Sequence, residues 1–129
     1  MKYPVIFIAI ICLISCKNKS TQSSSSHQRV DISIEDAHEI RNAQPSVIFL
    51  DVRTPEEIAQ GFITDALTAD VKSPDFRERI QKLDKDREYV VYCRSGRRSV
   101  KASDIMLEEG FTKVKNMKGG YNAWKEVYE

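Results

Sequence analysis

Short apolar runs alternate with amphipathic stretches along most of this chain. Val47-Ile48-Phe49-Leu50 and Tyr89-Val90-Val91-Tyr92 are continuous apolar runs, the pattern of strands buried on both faces. Between and around them the apolar period lengthens to that of helices. Ser33 caps a predicted helix from Ile34 to Ala43, with Ile34, Ala37 and Ile40 on one stripe. Asp36, three residues after Ser33, gives a weakened capping box. Thr54-Pro55-Glu56-Glu57 is a fuller helix start, with a cap, a proline at the first position and a returning glutamate; that helix stops before Gly61. Ser73-Pro74 opens another, striped by Phe76, Ile80 and Leu83. A fourth runs from Ser99 to Glu109, with Gly110 as its left-handed stop. The last, Gly120 to Tyr128, carries Tyr121, Trp124, Val127 and Tyr128, read as core. Ala66–Val71 and Lys113–Asn116 are read as brief strands. Strands alternating with helices predict an α/β fold with a central, mainly parallel sheet flanked by helices on both faces. Such sheets bind ligands beyond the carboxyl ends of their strands.

The N-terminal segment does not fit this alternation. Lys2 and an apolar run from Pro4 to Ile14 have the length of a secretory signal and fall short of a membrane span. The run ends Leu13-Ile14-Ser15-Cys16, which resembles a bacterial lipobox. Residues 1–15 are therefore expected to be a lipoprotein signal peptide, and Cys16 to be the lipidated residue that anchors the chain. The alternative is a plain secretory signal with a chance cysteine. Residues 16–28 contain four consecutive serines and almost no apolar side chain, as a flexible tether would. The folded domain is expected over 29–129, in the bacterial cell envelope and on its periplasmic side. His27 in the tether is read as solvated, and His38 on the first helix as a surface or half-buried side chain.

Charge changes the picture by exclusion. Lys plus Arg is 20 and Asp plus Glu 19, a net charge of +1. A nucleic-acid partner held by a broad positive field is thereby disfavoured. Of three cysteines, Cys12 leaves with the signal and Cys16 is acylated, so Cys93 remains alone and without an intramolecular disulfide.

Cys93 lies where the chemistry concentrates. The segment Cys93-Arg94-Ser95-Gly96-Arg97-Arg98-Ser99 joins a buried strand to a helix. A helix start offers unpaired N–H groups and the positive end of a dipole. A glycine lets the loop curl into an anion nest, and three arginines add charge. A thiol in such a place ionises readily and is a nucleophile. The bland alternative is a buried structural thiol beside a solvated basic turn.

These residues resemble the active-site loop of the single-domain rhodaneses, which are sulfurtransferases. Asp51-Val52-Arg53 with Thr54-Pro55-Glu56-Glu57 resembles the motif after that family's early strand. Gly119-Gly120 followed by Trp124 resembles its C-terminal motif. The resemblance spans residues 31–128. It departs at Gly61-Phe62-Ile63, where the family often has Gly-His-Ile, at Thr64-Asp65-Ala66 in place of Pro-Gly-Ala, and at Ile58 in place of an aromatic. It implies a rhodanese-like fold and a two-step transfer. Cys93 takes the outer sulfur of a donor such as thiosulfate, becomes a persulfide, and gives that sulfur to a thiol or other thiophilic acceptor. Arg94, Ser95, Gly96, Arg97 and Arg98 would hold the anions, with Arg98 the charged partner. Asp51 and Arg53 would support the loop, and Glu57 would cap its own helix. No cofactor and no metal is implied, since no cluster has ligand spacing. Two rivals stand beside this reading. A cysteine phosphatase or arsenate reductase uses a similar nest, but its arginine comes sixth after the cysteine, where this chain has Ser99. A membrane-anchored persulfide relay or partner-binding module would keep the loop without efficient thiosulfate turnover.

Overall fold

The computed structural model describes residues 27–129. The expected signal peptide, Cys16 and nearly all of the 16–28 tether lie outside the described residues. Within them the order is β1 (Val30–Ile32), α1 (Ile34–Ala43), β2 (Ile48–Asp51), α2 (Pro55–Ile58), β3 (Leu67–Thr68), α3 (Phe76–Gln81), β4 (Glu88–Tyr92), α4 (Arg97–Glu108), β5 (Lys113–Met117) and α5 (Gly120–Tyr128). The sheet runs β1-β5-β4-β2-β3, and every pairing is parallel.

Alternation along β4 divides the interior. Tyr89, Val91 and Cys93 face one layer, where Phe76 and Ile80 of α3 and Ala102 and Met106 of α4 complete the core. Val90 and Tyr92 face the other, against Ile34 and Ala37 of α1 and Tyr121 and Trp124 of α5. With both faces covered, the central strands read as unbroken apolar runs because each residue meets a helix. The aromatic stripe of α5 is only half core: Tyr121 and Trp124 are buried, Tyr128 is half-buried with His38 stacked on its ring at 4.0 Å, and Val127 is exposed.

Local signals set the element boundaries where they are strong. Ser33 and Asp36 form a complete reciprocal capping box, so aspartate serves in place of glutamate. Thr54 and Glu57 form a second. Several elements differ from expectation: α3 begins at Phe76 with Asp75 as its cap, past the expected Ser73-Pro74 start, and β5 runs on to Met117. β1 was not foreseen; it is three residues long and held by parallel pairing to β5. Only Leu67–Thr68 of the expected 66–71 strand joins the sheet. α4 begins at Arg97, two residues before the expected Ser99. Among the described residues, no helix is long and apolar enough to cross a membrane.

Candidate active site

All strands point the same way, so their carboxyl ends share one edge. Asp51 lies level with Tyr92 on one side and with Thr68 on the other. The residues that follow therefore meet there: Val52 to Thr54, Ala69 and Asp70, the Cys93 loop, and Lys118 to Gly120.

Cys93 leaves β4 at this edge and is 1% exposed. Gly96 then takes a left-handed conformation, φ +100°, as the N-cap of α4. It has no side chain to cap the helix, and the cysteine sulfur occupies that role. The Gly96 N–H donates to Sγ at 3.1 Å. Burial alone pushes the thiol pKa up. The Ser99 hydroxyl and the amides of Ser99, Ser95 and Gly96 outweigh it and hold the thiol below its ordinary value.

The amides face the sulfur because the carbonyls are tied down elsewhere. Tyr121 N–H donates to Cys93 O at 2.7 Å, and Asn122 N–H donates to Arg94 O at 3.0 Å. The opening amides of α5 thus fix the outward carbonyls of the loop, and the next N–H group turns inward. A Cβ on Gly96 would stand 3.2 Å from the Gly119 nitrogen, which shows how closely the two turns pack.

Arg98 does not point freely at the sulfur. Its Nη1 and Nη2 donate to Glu57 Oε2 and Oε1 at 2.7 and 2.6 Å. Glu57 Oε2 also accepts from the Thr54 N–H at 3.1 Å. Glu57 therefore caps α2, as expected, and also ties α2 to the start of α4. Arg98 acts on Cys93 through its field, while its hydrogen bonds go to Glu57. Arg94 and Arg97 are exposed, and Arg94 Nε lies 3.9 Å from Glu57 Oε1. Ser95 is exposed and contributes its amide.

The Arg98 guanidinium, with the Thr54 amide, holds the Glu57 carboxyl at about 2 against an ordinary 4.5. The ionised carboxylate therefore stabilises the fold fully above about pH 4.5, and that contribution fades as pH falls through about 2. Glu57→Gln should lower the urea midpoint at pH 7, and the gap to the parent should close as pH approaches 2. A gap equal at both pH values would refute the linkage.

Asp51 and Arg53 form the floor beneath this edge. Arg53 is 3% exposed and Asp51 fully buried. Arg53 Nε donates to Asp51 Oδ1 at 2.9 Å, Nη2 donates to Oδ2 at 2.7 Å, and the Arg53 amide donates to Oδ1 at 3.0 Å. Nη2 also donates to Gly61 O at 2.8 Å, and the guanidinium lies 4.2 Å over the Tyr121 ring. Neither residue hydrogen-bonds to Cys93, so the pair is a support. A cavity of about 120 Å³ opens at the same edge, lined by Arg53, Ile58, Asp70 and Arg79 among others. Phe62, which replaces the family's histidine, is exposed, while Ile63 is buried. Among the described residues, no group of three or more His, Cys, Asp or Glu could hold a metal ion.

The expected site residues thus gather at one edge, apart from Cys16, which lies outside the described residues. Two contributors carry no role in the sequence reading: Ser99, beside the sulfur, and Gly120, against the loop carbonyls. Their signal was positional. Ser99 is the third residue of a helix whose cap is a glycine, and Gly120 opens the helix that follows the next strand.

The fold and this edge define a family. Residues 33–127 match the model of the rhodanese-like domain, and the chain belongs to that family. A sulfurtransferase of Allochromatium vinosum is 44% identical over 78 residues, 60% of this chain and 71% of that one. The thiosulfate sulfurtransferase GlpE of Stutzerimonas stutzeri is 34% identical over 95 residues, 73% of this chain and 83% of that one. Among solved structures, the human single-domain sulfurtransferase TSTD1 superposes with a TM-score of 0.68 at 25% identity, over 77% of this chain and 97% of that one. These likenesses support a rhodanese-type enzyme that transfers sulfur.

Proposed function

We propose that this chain moves sulfane sulfur from a small anionic donor such as thiosulfate to a thiophilic acceptor through a persulfide on Cys93. The observation that carries this reading is the sulfur at the start of α4, receiving the Gly96 amide at 3.1 Å. The Cys93 thiolate attacks the outer sulfur of the donor. A new S–S bond forms, the donor's S–S bond breaks, and its electron pair leaves with sulfite. The charge then rests on the outer sulfur of the persulfide, among inward-facing amides that require no reorganisation. An acceptor nucleophile bonds to that outer sulfur, and the pair of the cleaved bond returns to Sγ. The exposed Arg94 and Arg97 favour the approach of an anionic donor.

The phosphatase reading fares worse on one observation. A guanidinium that clamps a phosphate must offer its N–H fork, and Glu57 already takes that of Arg98.

The proposal extends to the address read from the sequence: a lipid on Cys16 holds the domain at the bacterial envelope, on the periplasmic side. Its support is the Leu13-Ile14-Ser15-Cys16 pattern alone. The test is an intact mass of the full chain, recovered from membranes, before and after thiosulfate. The expected spectrum shows acylation at the Cys16 terminus and a one-sulfur adduct that cyanide discharges as thiocyanate. Cys93→Ser should take up no sulfur. A reduced, folded parent that gains no sulfur would sink thiosulfate transfer, and an unacylated N-terminus would sink the anchor.

A further inference from the structure

Among the described residues, three buried side-chain atoms have no hydrogen-bond partner: Ser99 Oγ, Ser103 Oγ and Asn116 Oδ1. Buried polar groups are nearly always paired, so each orphan asks for a reason. Ser99 and Ser103 lie one turn apart on α4, and both are fully buried. Ser99 differs from the other two in its neighbour. It is the third residue of α4, whose N-cap Gly96 donates to Cys93 Sγ at 3.1 Å, so its hydroxyl and amide belong to the helix end that holds that sulfur. Both also act to hold the thiol below its ordinary value.

We propose that the Ser99 hydroxyl is a catalytic hydrogen-bond donor to Cys93 Sγ, engaged when that sulfur carries charge. The proposal rests on the sulfur-transfer reading and adds a residue to it. A neutral thiol is a weak acceptor, so the hydroxyl gains little from it. A thiolate is a strong one, and a charge-assisted bond forms as the thiol ionises. Two stages present that charge. The resting thiolate has it before it attacks the donor. The leaving thiolate regains it when the acceptor takes the outer sulfur and the Sγ–Sδ pair returns to Sγ. In the persulfide between them the charge lies on the outer sulfur, which the loop amides serve. Ser99 keeps its proton throughout, because a serine hydroxyl is far too weak an acid to yield it here. It stabilises charge and transfers nothing.

This division of labour separates the two half-reactions. Lowering a thiol's pKa makes it a better leaving group and, once fully ionised, a poorer nucleophile. Ser99 therefore speeds discharge of the persulfide. In loading it raises the thiolate fraction near neutral pH at some cost in intrinsic reactivity. A residue that merely held the loop in shape would affect both half-reactions in the same direction.

The experiment compares the parent, Ser99→Ala and Ser103→Ala as full chains. The rate of iodoacetamide alkylation of Cys93 is followed against pH on the Cys93 peptide. Loading by thiosulfate and discharge by cyanide are then measured separately by rapid mixing. Ser99→Ala removes a hydroxyl that has no partner in the thiol state, so the fold should hold; Ser103→Ala repeats that change one turn away from the sulfur. The other charges that act on Cys93 stay in place in both variants. These are Arg98, which acts on Cys93 directly, the charges around it, Glu57 of α2 and Asp70 after β3, and the loop residues Arg94 and Arg97.

In Ser99→Ala the alkylation midpoint should rise by about one pH unit. Discharge should slow about threefold, and the alkaline plateau of loading should not fall. Ser103→Ala should match the parent in all three. An unchanged midpoint in Ser99→Ala, or an equal rise in Ser103→Ala, overturns the proposal. So does an equal loss in loading and discharge. A parent that takes no sulfur from thiosulfate overturns the sulfur-transfer reading instead, and the alkylation midpoint still decides whether Ser99 serves the thiolate.

Discussion

Gly120→Ala should cost about 100-fold in kcat/KM in the thiosulfate–cyanide assay while the chain still folds. Gly120 has φ +62°, and a Cβ there would stand 2.5 Å from Cys93 O and 2.6 Å from Arg94 C and O. These are backbone atoms, which no rotamer change can clear. They are also the carbonyls that α5 holds through the Tyr121 and Asn122 amides. The methyl group must push the loop away from α5, and the amides that face the sulfur move with it. A displacement of about 1 Å in such a site is enough for a loss of that size. The left-handed backbone adds a penalty of about 1–2 kcal/mol to stability. The assay should be paired with urea unfolding and Cys93 alkylation. Loss of activity with a raised thiol pKa is the expected pattern. Turnover within a few-fold of the parent would show that the contact yields without moving the loop.

Arg53→Ala should lower stability by roughly 3–5 kcal/mol, the usual result of removing one partner of a buried ion pair. Asp51 would remain, fully buried, having lost both side-chain donors that satisfied it. Gly61 O would lose its donor and Tyr121 the cation over its ring. Arg53→Lys should recover little, because an ammonium cannot reproduce the two-pronged geometry. The informative variant is the double replacement Asp51→Asn with Arg53→Met. It removes both charges and should be less destabilised than the sum of its parts, since the cost lies mainly in the stranded carboxylate. Urea midpoints and slopes for the parent, Arg53→Ala, Arg53→Lys, Asp51→Asn, Arg53→Met and the double variant test this. A loss under 1 kcal/mol in Arg53→Ala would mean that water reaches Asp51 and that the pair is not buried in solution.

Local signals could be read from the chain, and non-local ones could not. The capping boxes at Ser33 and Thr54 lie within three residues and were legible. The two apolar runs gave β2 and β4 because a strand covered on both faces needs no partner to be recognised. β1 escaped: two of its three residues are exposed, and it becomes a strand only through its register with Lys115 to Met117. The start of α4 lies two residues before the expected Ser99, because no capping side chain of the usual kind marks it. The chain instead uses a left-handed glycine and lends the helix a sulfur from three residues back. Arg98 and Glu57 were each given a local role. Their bond spans 41 residues, and no spacing rule could place it. Cys93, the glycine and the arginines were legible as a site because the strand, the loop and the helix start are contiguous in sequence. Ser99 required the knowledge that its hydroxyl has nothing else to bond.

The parallel sheet also gives the domain a direction. Val30 enters β1 level with Lys115, which is level with Val90 in β4, so Cys93 stands three residues, or about 10 Å, further along the strand axis. Arg29 fastens that entry by donating to Asp31 at 2.9 Å and to Asp104 of α4 at 2.5 Å. Residues 27 and 28 therefore lead into the sheet from the end opposite the reactive edge. Strain on the upstream chain would be borne by this double clasp and the β1–β5 ladder before it reached the loop. Under the lipid anchor proposed above, a chain that enters from that side would leave the sulfur facing away from the anchored end.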